Sequence, residues 1–193
     1  MMTKGGTGLL VVLSSPSGGG KTTVIKRLLA EESNYLYSVS MTTRPPRENE
    51  TDGRDYFFID EKTFADKIDR NELIEYEKVH GYLYGTPKAP LERAIAEGRV
   101  VLLDMDVHGA LTLQKHYPNH SLLVFLEPPD MNRLIERLKG RGSEGSEQIA
   151  RRLQRVPEEM VLAENFDRVI VNEDLAATLR RVRSIIKDHI QDS

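Results

Sequence analysis

Cysteine is absent from the 193 residues. That excludes disulfides, thiolate nucleophiles and zinc–thiolate sites together, and it fits a reducing compartment. No apolar run approaches the roughly 20 residues of a membrane span, and the opening MMTKGGTG lacks the apolar stretch of a signal peptide. The expected location is the cytoplasm, with no membrane partner. There is no excess of basic charge either: the net charge is −3 and the pI about 6.0, so nucleic-acid binding would have to rest on a local patch. The arginines cluster in short groups beside glycines, which suits a compact phosphate ligand rather than a long polyanion, and no nucleic-acid partner is expected. Internal repeats and low-complexity tracts are missing too. A chain of this length reads as one domain with insertions, long enough to bury a real core; monomer and homo-oligomer both stay open.

What is present begins with SSPSGGGKTT, Ser14 to Thr23. The preceding LLVVL reads as a buried strand, and TTVIKRLLA places Val24, Ile25, Leu28 and Leu29 on one helical face. Strand, glycine turn and helix follow one another without a gap. Free N–H groups at a helix N-terminus point at an anion and the helix dipole favours negative charge, so this context predicts a phosphate-binding loop. Spaced as G-x-x-x-x-G-K-[ST], the loop runs from Ser15 to Gly20, with Lys21 reaching the β/γ-phosphates and the Thr22 hydroxyl on Mg²⁺. Ser15 stands where the pattern has glycine. An ordinary glycine turn is the alternative reading of the same residues.

Apolar runs alternate with helical patterns along most of the chain. LLVVL precedes the helix from Lys21; VVLL at Val100 to Leu103 precedes one near Gly109 to His116; LLVFL at Leu122 to Leu126 precedes one near Asp130 to Leu138; VIV at Val169 to Val171 precedes one from about Leu175. The expected fold class is α/β, a parallel sheet with helices on both faces. One polar segment breaks the alternation: Ser38 to Tyr84, with strand-like YSVS, YFFI and LIEYEKV and a helix pattern near Glu61 to Arg70, reads as a mixed insertion. A second break, GRGSEGSEQ at Gly140 to Gln148, reads as a mobile lid. Within the insertion, Arg44 and Arg47 flank Pro45 and Pro46, whose restricted backbones hold two guanidinium forks at a fairly fixed spacing suited to a phosphate monoester. A solvated turn with surface arginines is the plainer alternative. LLDMD places Asp104 at the end of a buried strand, where open α/β sheets put their ligands.

Taken together, SPSGGGKTT, SVSMTTRPPR, DGRDYFF, ELIEYEKVHGYLYGT, VVLLDMDVHGA, RLKGRGSE and VIVNEDL resemble the guanylate kinases, in the family's order and over almost the whole chain. The resemblance implies a P-loop kinase core over 1–37, 88–139 and 149–193, a mixed α/β GMP-binding insertion over 38–87 and a lid over 140–148. It implies ATP and GMP as substrates, Mg²⁺ as cofactor, and ATP contacts at Ser17, Gly18, Gly19, Gly20, Lys21, Thr22 and Thr23. Asn172 of VIVNEDL matches a position that contacts adenine, although an asparagine after a strand is also a routine turn residue. Ser40, Glu75 and Thr86 match the guanine-holding positions. Guanine offers two adjacent donors beside O6, so one carboxylate takes both donors while a hydroxyl serves O6; adenine would leave Glu75 facing an acceptor. Arg44, Arg47, Tyr56 and Tyr84 match the contacts to the GMP phosphate, and Asp104 and Asp106 match positions around the nucleotide and its Mg²⁺, Asp104 partly through water. His108 stands where relatives usually have glutamine and reads as peripheral.

The attacking oxygen of a nucleoside monophosphate is already anionic at neutral pH, so the reaction needs alignment and charge neutralisation and no general base. By resemblance the cations are Lys21, Arg44, Arg137, Arg141 and Arg152, with lid closure excluding water. Arg133 and Arg155 read instead as the solvent face of a basic helix. Two other functions fit parts of the pattern: a scaffold module that binds phosphorylated peptides on a former GMP surface, and a small kinase for a phosphorylated sugar. The first would have lost Lys21 or the lid arginines, and the second would lack Ser40, Glu75 and Thr86; all are present.

Overall fold

In the computed structural model, residues 8–192 are described apart from 17, 80, 132 and 136–145, with the backbone alone for 146–152. Five parallel strands form the main sheet in the order β2 (Tyr35–Tyr37), β7 (Val100–Asp104), β1 (Leu9–Ser14), β8 (Ser121–Glu127) and β9 (Arg168–Val171). Alternation along β1 divides the core into two layers. Leu9, Val11 and Leu13 pack on one face with Val24, Ile25 and Leu28 of α1 (Lys21–Glu31) and with Leu179, Val182 and Ile186 of α6 (Leu175–Asp192). Leu10 and Val12 pack on the other with Leu91 and Ala94 of α3 (Lys88–Ala96) and Val107, Ala110 and Leu113 of α4 (Val107–His116). Both faces are therefore apolar, which is why β1 reads as an unbroken run rather than an alternating one.

A second sheet, ordered β4 (Phe57–Phe58), β3 (Met41–Thr42), β6 (Tyr82–Pro87) and β5 (Leu73–Val79), carries α2 (Glu61–Asp69). Two short elements depart from the sequence reading. The strand expected at YSVS is Tyr35–Tyr37 and belongs to the main sheet, where it pairs with β7; beyond it the Ser38 N–H still donates to the Leu102 carbonyl at 3.0 Å, and the Ser40 carbonyl accepts the Phe57 N–H at 2.9 Å beside the second sheet. YFFI contributes only Phe57–Phe58, and α4 starts two residues earlier than its periodicity marks, because the Asp106 carboxylate accepts the Gly109 N–H at 2.8 Å and caps the helix. Around the expected Asp130–Leu138 helix, 131 and 133–135 are helical and 136–138 lie outside the described residues. The chain continues through α5 (Ser146–Leu162) and a 3₁₀ turn at Ala163–Asn165. Among the described residues no helix is long and apolar enough to cross a membrane.

Candidate active site

The end of β1 delivers the chain into the glycine loop. Gly18 (φ 90°) and Gly20 (φ 93°) occupy left-handed conformations that side-chain-bearing residues avoid. Gly19 is required for a different reason: a Cβ there would lie 2.7 Å from the Cβ of buried Ser15. Ser15 thus takes the place of the first loop glycine by packing against Gly19, and its hydroxyl donates to the Pro16 carbonyl at 3.1 Å. α2 and α4 have carboxylate caps, Asp60 and Asp106, whereas α1 starts at Gly20 with no side-chain cap and no acidic residue in its first turn. Its N-terminus is left open for an anion.

Lys21 and Thr22 meet the end of β7. The Lys21 ammonium pairs with Asp104 Oδ1 at 2.9 Å and donates to the Met105 carbonyl at 3.0 Å, while the Thr22 hydroxyl donates to Asp104 Oδ2 at 3.1 Å. Beside them opens a cleft of about 460 Å³ that runs to the second sheet, lined by Ser40, Arg47, Tyr56, Glu75, Tyr84, Thr86, Asp104 and Asp106 among others.

At the far wall a β-bulge sets the geometry. Leu73 pairs with Pro87 and Tyr76 with Gly85, so Ile74 and Glu75 together oppose Thr86. The bulge breaks strand alternation: Ile74 enters the main core, Tyr76 is 52% exposed, and Glu75 turns into the cleft, where it accepts the Thr86 hydroxyl at 2.6 Å. Burial raises the Glu75 pKa above its ordinary value despite that hydrogen bond, and the nearby Asp106 and Glu77 add to the rise. Tyr56 is raised as well, by burial and by Asp104, so its hydroxyl remains a proton donor.

Arg44 is placed differently from Arg47. It is not among the side chains that line the cleft, and its guanidinium donates to Glu50 Oε1 (2.8 Å), the Tyr84 hydroxyl (3.2 Å) and the Pro45 carbonyl (2.8 Å). Its charge lies over the Tyr56 and Phe58 rings, 5.6 and 5.7 Å from their centroids. Arg44 therefore anchors Tyr56 and Tyr84, two residues of the cleft wall. Glu50, which also accepts the Arg47 N–H at 2.8 Å, organises this loop and was not foreseen. Sequence offered no signal for it beyond its spacing after Arg47.

Arg155 is exposed, as its helical spacing implies, and it also lines the cleft, as do Glu77 and Glu159. Glu159 Oε2 is buried without a hydrogen-bond partner, and burial raises the carboxyl even though Lys21 and Arg155 attract it. Nothing in the heptad-like spacing of α5 distinguishes Glu159 from its exposed neighbour Glu158. His108 lies at the periphery, 65% exposed and 3.5 Å from Glu158. Thr23 is exposed in the first turn of α1. Asn172, expected at adenine, is 5% exposed and both ends of its amide are engaged within the protein, Nδ2 with the Gly19 carbonyl and Oδ1 with the Thr178 hydroxyl. Ser17, Arg137 and Arg141 lie outside the described residues, as does most of the expected lid, and the Arg152 side chain does too.

An open helix N-terminus behind a glycine loop, at one end of a polar cleft of about 460 Å³ whose far wall carries Glu75 and Thr86, defines a P-loop nucleotide kinase. The guanylate kinase family profile matches residues 7–189. The chain is 45% identical over 184 residues to a guanylate kinase of Chlorobium chlorochromatii, covering 95% of this chain and 97% of that one, and 42% identical to one of Thermotoga maritima, covering 93% and 86%. A crystal structure of guanylate kinase from Anaplasma phagocytophilum superposes with a TM-score of 0.76 at 34% identity, covering 95% of this chain and 86% of that one. The chain belongs to the guanylate kinase family.

Proposed function

We propose that this chain transfers the γ-phosphoryl group of ATP to GMP, giving ADP and GDP, with residues 38–87 acting as the GMP-binding insertion and 140–148 as the lid. The observation that carries the reading is the Glu75–Thr86 pair, a carboxylate and a hydroxyl 2.6 Å apart in the cleft that begins at the phosphate loop. Glu75 accepts the two donors of guanine while Thr86 and Ser40 serve its remaining polar atoms. Arg47, Tyr56 and Tyr84 hold the GMP phosphate, with Arg44 bracing both tyrosines.

The donor phosphates lie on the N–H groups of Gly18 to Thr23, and Lys21 exchanges its contacts with Asp104 and Met105 for the β/γ-oxygens. The Thr22 hydroxyl and Asp104 carboxylate, side by side, are the hard oxygen donors that Mg²⁺ takes. Among the described residues no group of three or more His, Asp or Glu is placed to hold a metal ion, so the ion's other ligands would be phosphate oxygens and water. Bound there with ATP, the ion would supply charge neutralisation at the phosphates, held by Thr22 and Asp104. The acceptor oxygen is already ionised, so the protein's task is alignment and exclusion of water. Arg137, Arg141 and Arg152 supply further positive charge on lid closure. Both substrates are cytoplasmic nucleotides, and the same reading places the chain in the cytoplasm.

The test is ADP formation from Mg·ATP with GMP, AMP, CMP and UMP offered separately. Turnover with GMP alone is expected; equal turnover with AMP would overturn the Glu75 assignment, and none with any acceptor would overturn the activity.

A further inference from the structure

The loop carbonyl of Gly19 is held from inside the protein by a residue 153 positions away: Asn172 Nδ2 donates to it at 2.6 Å. Asn172 follows β9, and its backbone N–H donates to the Glu127 carbonyl at 2.7 Å, which ties its backbone to the main sheet. Its amide is oriented by a second buried group. The Thr178 hydroxyl, on a residue 1% exposed in the first turn of α6, donates to Asn172 Oδ1 at 2.9 Å. Turning the amide over would set Oδ1 against the Gly19 carbonyl, acceptor against acceptor, among buried groups. In a trans peptide the C=O of one residue and the N–H of the next point in opposite directions. With the Gly19 carbonyl drawn toward buried Asn172, the Gly20 N–H must point outward, away from the interior.

We propose that Asn172 and Thr178 are a positioning pair that locks the Gly19–Gly20 peptide plane and thereby aims the Gly20 N–H at the donor phosphates, without either side chain touching the nucleotide. The inference rests on the phosphate-loop reading above. It replaces base recognition by Asn172 with control of the loop backbone, and it gives α6 a part in donor binding. It also accounts for a glycine-rich loop holding one peptide orientation although its residues permit several.

The test compares Thr178→Val, which keeps the shape and deletes the hydroxyl, with Thr178→Ser, which retains it, and adds Asn172→Asp, which faces the Gly19 carbonyl with an acceptor. Equilibrium binding of ATP and of inorganic tripolyphosphate, a probe without a base, is measured beside the KM values for Mg·ATP and GMP and the melting temperature. Thr178→Val is expected to weaken ATP and tripolyphosphate by the same factor, about tenfold, and to leave the GMP KM unchanged. Thr178→Ser should restore both, and Asn172→Asp should weaken both by about 100-fold. Should Asn172→Asp fail to fold, the threonine pair carries the test alone. Weakened ATP with unchanged tripolyphosphate would assign the amide to the base and overturn the proposal. So would unchanged binding in all variants, or losses in ATP and GMP that simply track the melting temperature. If the wild-type protein binds neither ATP nor tripolyphosphate, the phosphate-loop reading fails first, and the positioning role falls with it.

Discussion

The two sheets of this molecule present their ligand groups in opposite ways. The main sheet is five parallel strands whose three central members are buried on both faces, and at its C-terminal edge it offers a glycine loop and an uncapped helix N-terminus, with Lys21, Thr22 and Asp104 beside them. The second sheet has two strands of only two residues, and it offers side chains: Glu75 and Thr86 from a bulged hairpin, Tyr84 from the same hairpin, Arg47 and Tyr56 from the loop beside it. Phosphate looks alike on every nucleotide, so backbone amides and a cation serve for it. A base must be told from three others, and that takes side-chain donors and acceptors. Those sit on the smaller sheet.

The comparison can be broken most severely on the phosphate side. Lys21→Ala should lower kcat by about 10³-fold or more, because one positioned cation at the transferring phosphoryl group is removed. Its melting temperature should stay near that of the wild type, since Lys21 lies at the sheet edge and outside both apolar layers. Unaltered turnover would remove the loop from the chemistry.

On the base side, Glu75→Gln sets an amide donor against guanine's donors. A fall in kcat/KM for GMP of about 10²-fold to 10³-fold is expected, with ATP binding intact; equal losses for both nucleotides would dissolve the division of labour. The same variant has a stability signature. An acid whose pKa is raised on folding binds its proton more tightly in the folded state, so its ionisation opposes folding at neutral pH. Glu75→Gln should therefore melt slightly above the wild type at neutral pH, and the gain should vanish as the pH falls below the ordinary glutamate range.

Phe64→Ala probes whether the second sheet can loosen by itself. Phe64 is fully buried on α2 and sits edge-on to Tyr76, with centroids 6.5 Å apart. Its loss should cost about 3–5 kcal/mol, raise amide exchange in β5 and β6 and weaken GMP, while β1, β7 and β8 keep their protection. Uniform loss of protection would show one cooperative unit. A gentler probe is pH: protonating Glu75 replaces an acceptor by a donor, so the GMP KM should climb as pH falls, starting above the usual glutamate pKa of 4.5, while the ATP KM stays flat. The smallest effect expected is at His108, where substitution by glutamine at a 65% exposed site should change neither KM by more than about twofold.

The phosphate loop was legible because its requirements are local: a buried strand, glycines with φ near +90° and a helix start all fall within consecutive residues. The alternation of strands and helices likewise announced a parallel sheet, since β1, β7 and β8 are apolar on both sides. Glu75 was reached only through resemblance. LIEYEKV reads as a regular strand, and no local pattern announces the bulge that turns its glutamate inward. Arg155 is solvent-exposed as its spacing implies, but that it also lines the cleft depends on where α5 packs, which helical spacing does not define.

By itself, then, the sequence determined the main alternation of strands and helices, the two-sided apolar core and the glycine loop at a helix start, all from contacts between near neighbours and from the burial of alternating side chains. Tertiary structure decided what those elements do to one another. It drew Arg44 to Tyr84 and Glu50, brought Asp104 to Lys21 and Thr22, and set the Asn172 amide on the Gly19 carbonyl. The reason is hydrogen-bond satisfaction: a buried polar group must find a partner wherever the fold puts one, and that place, 153 residues distant for Asn172, is set by the packing of sheets and helices rather than by any local pattern.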